Sequence, residues 1–297
     1  MDSILKTINL TKRFGEKIAV NQVNMNINRG DIYGFIGKNG AGKTSTMKLI
    51  LGLSYPDSGT IELFGKPASD ESRQKTGSLI EAPGLYKNCT AYENMKRFSI
   101  LSGGKDSEIK ELLRLVGLDK TGDKRAGEFS LGMRQRLGIA ISLLGNPDLL
   151  ILDEPINGLD PEGIKEIRDV ILKLNREREV TFLISSHLLD ELAKVVTKYG
   201  IINSGRLIEE ITTDDLNARC RSGLKIVTDN PNRAAELIRV RLPHVDFNIT
   251  ENTIMLYSAY EQAGELNTML VQNGITVIEL TVMHGGFEEY FIERIGK

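Results

Sequence analysis

Cysteine is scarce in this chain. Cys89 and Cys220 are the only two in 297 residues, far apart and without metal-ligand spacing. That excludes a disulfide scaffold and a cysteine-built metal centre, and it fits two free thiols in a reducing compartment. Long apolar runs are missing too: none approaches the roughly 20 residues needed to cross a bilayer. The start, Met1-Asp2-Ser3-Ile4-Leu5-Lys6, has neither the basic opening nor the apolar core of a signal peptide. The expectation is a cytosolic protein, held at a membrane only by a partner. Charge of one sign is also lacking, with 38 basic against 40 acidic residues. Such a balance gives no global attraction to nucleic acid. No internal repeat is visible, and the length allows one large domain or two ordinary ones.

What is present is a phosphate-binding pattern, Gly37-Lys38-Asn39-Gly40-Ala41-Gly42-Lys43-Thr44, which fits G-x-x-x-x-G-K-[ST]. Glycines let the backbone wrap a phosphate chain so that successive N–H groups form an anion nest. The N-terminus of the following helix, with Ser45, adds to that field. Lys43 is placed to reach the terminal phosphates and the Thr44 hydroxyl to ligate Mg²⁺. Context agrees: Asp31–Ile36 reads as a short buried strand and Ser45–Leu51 as the helix after the loop. A bare Gly-rich turn would need neither flank. The pattern predicts binding of a nucleoside triphosphate.

Along the chain, Ile4–Asn9 and Ile18–Asn28 alternate apolar and polar residues as half-buried strands do. Thr11-Lys12-Arg13-Phe14-Gly15 reads as a loop between them. Strands follow at Thr60–Phe64 and Thr76–Ile80, then a helical stretch from Thr90 to Ile141. Within it Leu112, Leu113, Leu115 and Val116 share a face closed by Gly117, and Ser130 is the N-cap of a later helix. Leu149-Leu150-Ile151-Leu152 is a continuous apolar run, as a strand buried on both faces requires. Thr181–Ser185 and Tyr199–Asn203 follow as strands. This order gives an α/β nucleotide-binding core over residues 1–212, with a β-rich N-terminal part and a helical insert at about 85–145. Residues 213–297 read as βαββαβ plus a terminal helix, a small ferredoxin-like domain. His244, alone there, is read as a surface or packing residue.

Asp153 ends the apolar run and Glu154 follows at once. A carboxylate at that strand end can hold Mg²⁺, and the next can orient or deprotonate an attacking water. His187, placed at a helix start after strand 181–185, can bond a phosphate or that water.

Together these residues resemble the nucleotide-binding subunit of ABC transporters. The resemblance rests on the loop, Leu149–Pro155, Asn157-Gly158-Leu159-Asp160 and Ser186-His187, and covers about residues 1–212. It implies an ATPase with the P-loop fold of that family, dimerising head to tail over two ATP molecules with Mg²⁺. A membrane-spanning permease is the implied partner, which puts this chain peripherally on the inner face of the cell membrane, and no nucleic acid is implied. By position, Phe14 resembles the aromatic that stacks on adenine, Asp153 the Mg²⁺-associated aspartate and Glu154 the catalytic base. Asp160 resembles the aspartate that communicates across the dimer, and His187 the switch histidine.

Two positions depart from the family pattern. The signature Leu-Ser-Gly-Gly-Gln has a look-alike at Leu101-Ser102-Gly103-Gly104-Lys105, too far upstream of Asp153. The better placed segment is Phe129-Ser130-Leu131-Gly132-Met133-Arg134-Gln135-Arg136, which keeps Ser130 and Gly132 as contacts to the partner's nucleotide. At the second, Glu81 stands where the family usually has glutamine touching Mg²⁺ or the lytic water. Glu81-Ala82-Pro83-Gly84-Leu85-Tyr86 and Ser-Leu-Gly-Met-Arg-Gln-Arg are similar to bacitracin-resistance and lantibiotic-immunity exporters. The implied function is export of peptide antibiotics. The rivals are ABC-2 type export of another substrate and a soluble ATPase acting on ribosomes or DNA. The last usually needs two cassettes or a long coiled-coil insert, and this chain has neither. For residues 213–297, ligand sensing and dimer stabilisation both stay open.

Overall fold

The computed structural model describes residues 2–102, 105–220, 223–257, 260–283 and 286–296. The chain divides into two compact units, Met1–Thr213 and Asp214–Lys297.

The first unit is built on two sheets. Strands β1 (Ser3–Phe14), β2 (Lys17–Asn28), β4 (Ser58–Leu63) and β5 (Lys66–Pro67) form an antiparallel sheet in the order β2-β1-β4-β5. The second sheet is mainly parallel. It holds β3 (Ile32–Ile36), β6 (Thr76–Leu79), β7 (Leu149–Asp153), β8 (Thr181–Ser186), β9 (Lys198–Asn203) and β10 (Arg206–Thr212), in the order β10-β9-β3-β8-β7-β6. β3, β7 and β8 are buried along their whole length, as apolar runs between two neighbouring strands and two covered faces must be. The alternation of β2 turns Val20, Val23, Met25 and Ile27 inward, where they join Leu149, Ile151 and Leu183 of the central sheet in one core. Met47 and Ile50 of α1 (Lys43–Ile50) complete that contact, so the helix after the phosphate loop is gripped on its buried side.

The segment Thr11–Phe14 is not a loop. It continues β1, paired with Val20, Ile18 and Lys17 across register shifts, and only Gly15-Glu16 turn. Bulges carry the strand past the end of its apolar alternation, which is why the pattern alone stops short.

After α2 (Asp70–Arg73), the helical insert holds α3 (Ala91–Ser102), α4 (Asp106–Leu115) and α5 (Leu131–Ser142). Gly103 and Gly104 of the signature look-alike lie outside the described residues. Ser130 caps α5 by accepting the Met133 N–H at 3.2 Å, a contact that contributes about 1 kcal/mol at a helix start. Two further helices return the chain to the central sheet, α6 (Pro161–Arg178) and α7 (Leu189–Leu192).

The second unit opens on α8 (Thr213–Arg219), which begins at the last residue of the first. Its strands β11 (Gly223–Thr228), β12 (Phe247–Thr250), β13 (Thr253–Leu256) and β14 (Val277–Met283) are antiparallel in the order β12-β13-β11-β14. With α9 (Pro231–Arg241) and α10 (Ala263–Gln272) between them, that is the βαββαβ arrangement of a ferredoxin-like domain. Its core joins Leu224, Ile226, Ile254 and Leu256 of the sheet to Ala234, Ile238, Leu266 and Leu270 of the helices. α11 (Phe287–Gly296) ends the chain, and His244 is exposed.

Candidate functional site

The phosphate loop joins β3 to α1, and its glycines are fixed by their neighbours. A Cβ on Gly37 would stand 2.5 Å from the Ile202 carbonyl. Gly42 has φ +111°, and a Cβ there would stand 2.5 Å from the Ala19 carbonyl. Both approaches are too close for any side chain, and the second also needs a backbone region closed to L-residues. The loop is tied from outside as well. Ala41 accepts the Gly205 N–H at 2.8 Å, and Gly205 in turn accepts the Asn21 N–H at 2.8 Å. Gly42→Ala should therefore lower folding stability by about 2 kcal/mol or more and weaken nucleotide binding with it. Urea unfolding checks this; a midpoint equal to that of the unaltered protein would refute it.

Lys43 is 5% exposed, an unusual depth for an ammonium. It donates to the Gly37 carbonyl at 2.6 Å and lies 3.3 Å from Glu154 Oε1. Thr44 Oγ1 donates to Asp153 Oδ2 at 2.7 Å. The other oxygen of Asp153 accepts from Ser185 Oγ at 2.5 Å, and that hydroxyl accepts the Glu154 N–H at 2.9 Å. Glu154 is held at φ +50°, left-handed for a non-glycine residue, at the sharp bend that ends β7. Its second carboxylate oxygen lies 2.8 Å from His187 Nδ1. An ionised carboxylate only accepts, so Nδ1 carries the proton and Nε2 of a neutral ring is left as an acceptor. That tautomer suits a water O–H better than a phosphate oxygen. His187 itself precedes α7 by two residues, in a bend, rather than starting the helix.

Thus Lys43, Thr44, Asp153, Glu154 and His187 converge on one point. Phe14 lies across from the loop, half exposed at the end of β1, with Lys12 Nζ 5.6 Å from its ring centroid. The cleft between them, about 290 Å³, is lined by Phe14, Asn39, Gly40, Gly42, Lys43, Thr44, Ser45 and Glu154. Lys38 and Ala41 complete the loop, and Ala41 is buried.

Other expected positions stand apart from this point. Glu81 is bound to Lys48, with Nζ 2.8 Å from Oε1, rather than to Thr44 or Asp153. That hydrogen bond and the lysine's charge hold the Glu81 carboxyl below the usual range. Asp160 caps α6, its Oδ1 accepting the Gly163 N–H at 3.0 Å. Ser130 and Gly132 lie at the start of α5, which packs against α6 at Gly163. None of these four lines the cleft.

Three residues of the site escaped the sequence reading. Lys17 and Ala19 line the cleft from β2. Their position just after Phe14, across a two-residue turn, is a usable signal once β1 is known to reach Phe14. Ser185 carries no such local signal.

A family model described as ABC transporter matches residues 20–157, from β2 through the Asp153-Glu154 pair. Over 100% of the chain and 98% of its own length, the bacitracin transport ATP-binding protein BcrA of Bacillus licheniformis is 45% identical. This chain belongs to the ABC transporter family. The lantibiotic transport ATP-binding protein SrtF of Streptococcus pyogenes is 47% identical, over 70% of this chain and 90% of that protein. Among solved structures, the ADP conformation of an ATP-binding cassette of an ABC transporter aligns with a TM-score of 0.66 at 25% identity. It covers 73% of this chain and 96% of that one. ABC cassettes hydrolyse ATP, and the matched residues include the Gly37–Thr44 loop and the Asp153-Glu154 pair that line or border the cleft.

Proposed function

We propose that this cassette powers export of membrane-active peptide antibiotics, as a subunit docked to a membrane-spanning permease on the cytoplasmic side of the cell membrane. The observation that carries this reading is the similarity to the bacitracin transport ATP-binding protein, which runs through both units of the chain. SrtF, a lantibiotic transport protein similar over 70% of this chain, supports the substrate class as well. No described helix is long and apolar enough to cross a membrane; in this reading the permease supplies the path for the peptide. Residues 213–297 act as an accessory domain outside the catalytic cassette of residues 1–212.

Catalysis follows from the residues that converge. Backbone N–H groups of the Gly37–Gly42 loop and the N-terminus of α1 bind the phosphates, with Lys43 opposing the terminal ones. Phe14 stacks on the base. The donors near Thr44 and Asp153 are a hydroxyl and a carboxylate, the hard oxygen set that Mg²⁺ takes. Bound there, Mg²⁺ would neutralise phosphate charge during transfer. Glu81 joins that set only on leaving Lys48. Glu154 accepts the proton of the attacking water, and His187, held to Glu154 through Nδ1, helps to fix that water's orientation. Ser130 and Gly132 at the start of α5 meet the nucleotide of a second protomer, and Asp160, at the start of α6, adjoins the same contact.

A tagged pull-down from solubilised membranes of the native cell tests the assignment. The expected outcome is a multi-spanning membrane protein recovered in stoichiometric amount. Recovery from the soluble fraction alone, with ribosomal or DNA-bound proteins, would overturn it.

A further inference from the structure

Ser185 is fully buried and its single hydroxyl is used in both directions. It donates to Asp153 Oδ1 and accepts the N–H of Glu154, so one oxygen touches both residues of the catalytic pair. The β7–β8 register makes this contact unavoidable. β7 and β8 run parallel with Asp153 directly beside Ser185, and neighbours in register on parallel strands point to the same face. On its other side Ser185 is in register with Phe35, at the end of the strand that leads into the phosphate loop.

The two bonds have different consequences. The bond to Asp153 occupies Oδ1 and leaves Oδ2 turned toward Thr44. The bond from the Glu154 N–H anchors a residue whose backbone is left-handed and whose carboxylate hangs between Lys43 and His187. A strained bend persists only when its surroundings over-determine it. Here the side-chain contacts of Glu154 reach groups that bind substrate, whereas the Ser185 contact is fully buried within the sheet.

We infer that Ser185 is a positioning residue for hydrolysis: through the Glu154 amide it sets where the general base stands, and through Oδ1 it sets which oxygen of Asp153 faces Thr44. The inference rests on Glu154 being the base. A hydroxyl is needed at this position because the site asks for a donor and an acceptor on one small atom, which alanine, valine or isoleucine cannot supply.

The test is steady-state ATP hydrolysis by the full chain, with ATP affinity measured separately. Ser185→Ala should lower kcat by about 100-fold, the scale of a misplacement near 1 Å, while ATP affinity stays within about twofold. Normal affinity also certifies the fold. Ser185→Thr, which keeps the hydroxyl, should recover most of kcat. Ser185→Cys fills the same space with a weak donor and acceptor, and carries the test where the alanine variant is unstable. A Ser185→Ala enzyme with kcat within about twofold of the parent would overturn the inference, as would equal losses in kcat and affinity. So would a Ser185→Thr enzyme that binds ATP normally yet turns over like the alanine variant. Glu154→Gln, run in parallel, separates the two claims. If it abolishes turnover while Ser185→Ala does not slow it, only the role of Ser185 falls; if it hydrolyses ATP normally, the base assignment falls and the inference with it.

Discussion

Lys43→Ala will lose ATP affinity by about 100-fold or more, corresponding to roughly 3 kcal/mol, with little change in folding stability. The two halves of that expectation have separate causes. In the structure Lys43 is almost wholly buried, donating to the Gly37 carbonyl and facing Glu154 at 3.3 Å. Burying an ammonium costs several kcal/mol, and the partners it finds offset that cost without much surplus. Removing the whole side chain relieves the desolvation as well as the contacts, so folding changes by only about 1 kcal/mol. Phosphate binding has no such compensation. The triphosphate brings its negative charges into a loop where Lys43 is the buried cation, and truncating one partner of a desolvated charge pair costs about 2–5 kcal/mol. Titration with a fluorescent ATP analogue and a melting curve on the same sample decide the matter. Unchanged affinity would refute the assignment of Lys43; a collapsed melting curve would refute the claim that its role is in binding rather than folding.

The parts of this site that were legible in the sequence are those whose physics is local. The phosphate loop needs small residues and a lysine at fixed offsets, and its flanking strand and helix need only their own periods. β7 announces itself by four consecutive apolar residues, and Ser130 by its place at the head of α5. What stayed hidden depends on pairing. Ser185 meets Asp153 because β8 sits beside β7 in one particular register, and no local pattern at either position encodes that. Glu81 was expected beside Thr44 and Asp153, but Lys48, one turn further along α1, holds its carboxylate instead. The fold of the second unit shows the opposite balance. Its alternation of strands and helices was readable from Gly223 onward, because each element buries one face against a single small core, whereas α8 before it was not read. Burial patterns disclose architecture, whereas function requires knowing which polar groups the architecture brings together.

Glu154→Gln carries the second large effect, and its interest lies in what it should leave intact. The glutamine side chain has nearly the same shape and can still accept a hydrogen bond from His187 Nδ1, so the bend at the end of β7 and its anchor on Ser185 are retained. What is lost is a basic oxygen for the water proton, and general-base catalysis is worth about 10²- to 10⁴-fold. Turnover should fall by about 1,000-fold on that scale. Affinity for ATP should hold or rise, and the reason is again Lys43. In the structure Glu154 and any incoming phosphate compete for the same ammonium, since Nζ lies 3.3 Å from Oε1. A neutral amide competes less and removes a negative charge from the edge of a site that must accept several more. Glutamine should therefore bind ATP at least as tightly as glutamate while failing to consume it. If the Ser130 segment meets the nucleotide of a second protomer, the unspent ATP should trap the variant as a dimer, visible by size-exclusion chromatography with ATP and absent without it. Alanine at the same position would remove the His187 contact too, so a deeper loss in Glu154→Ala than in Glu154→Gln would measure how much of the histidine's contribution depends on that bond. Normal hydrolysis by the glutamine variant would place the base elsewhere and leave the Lys43–Glu154 pair as a purely structural contact.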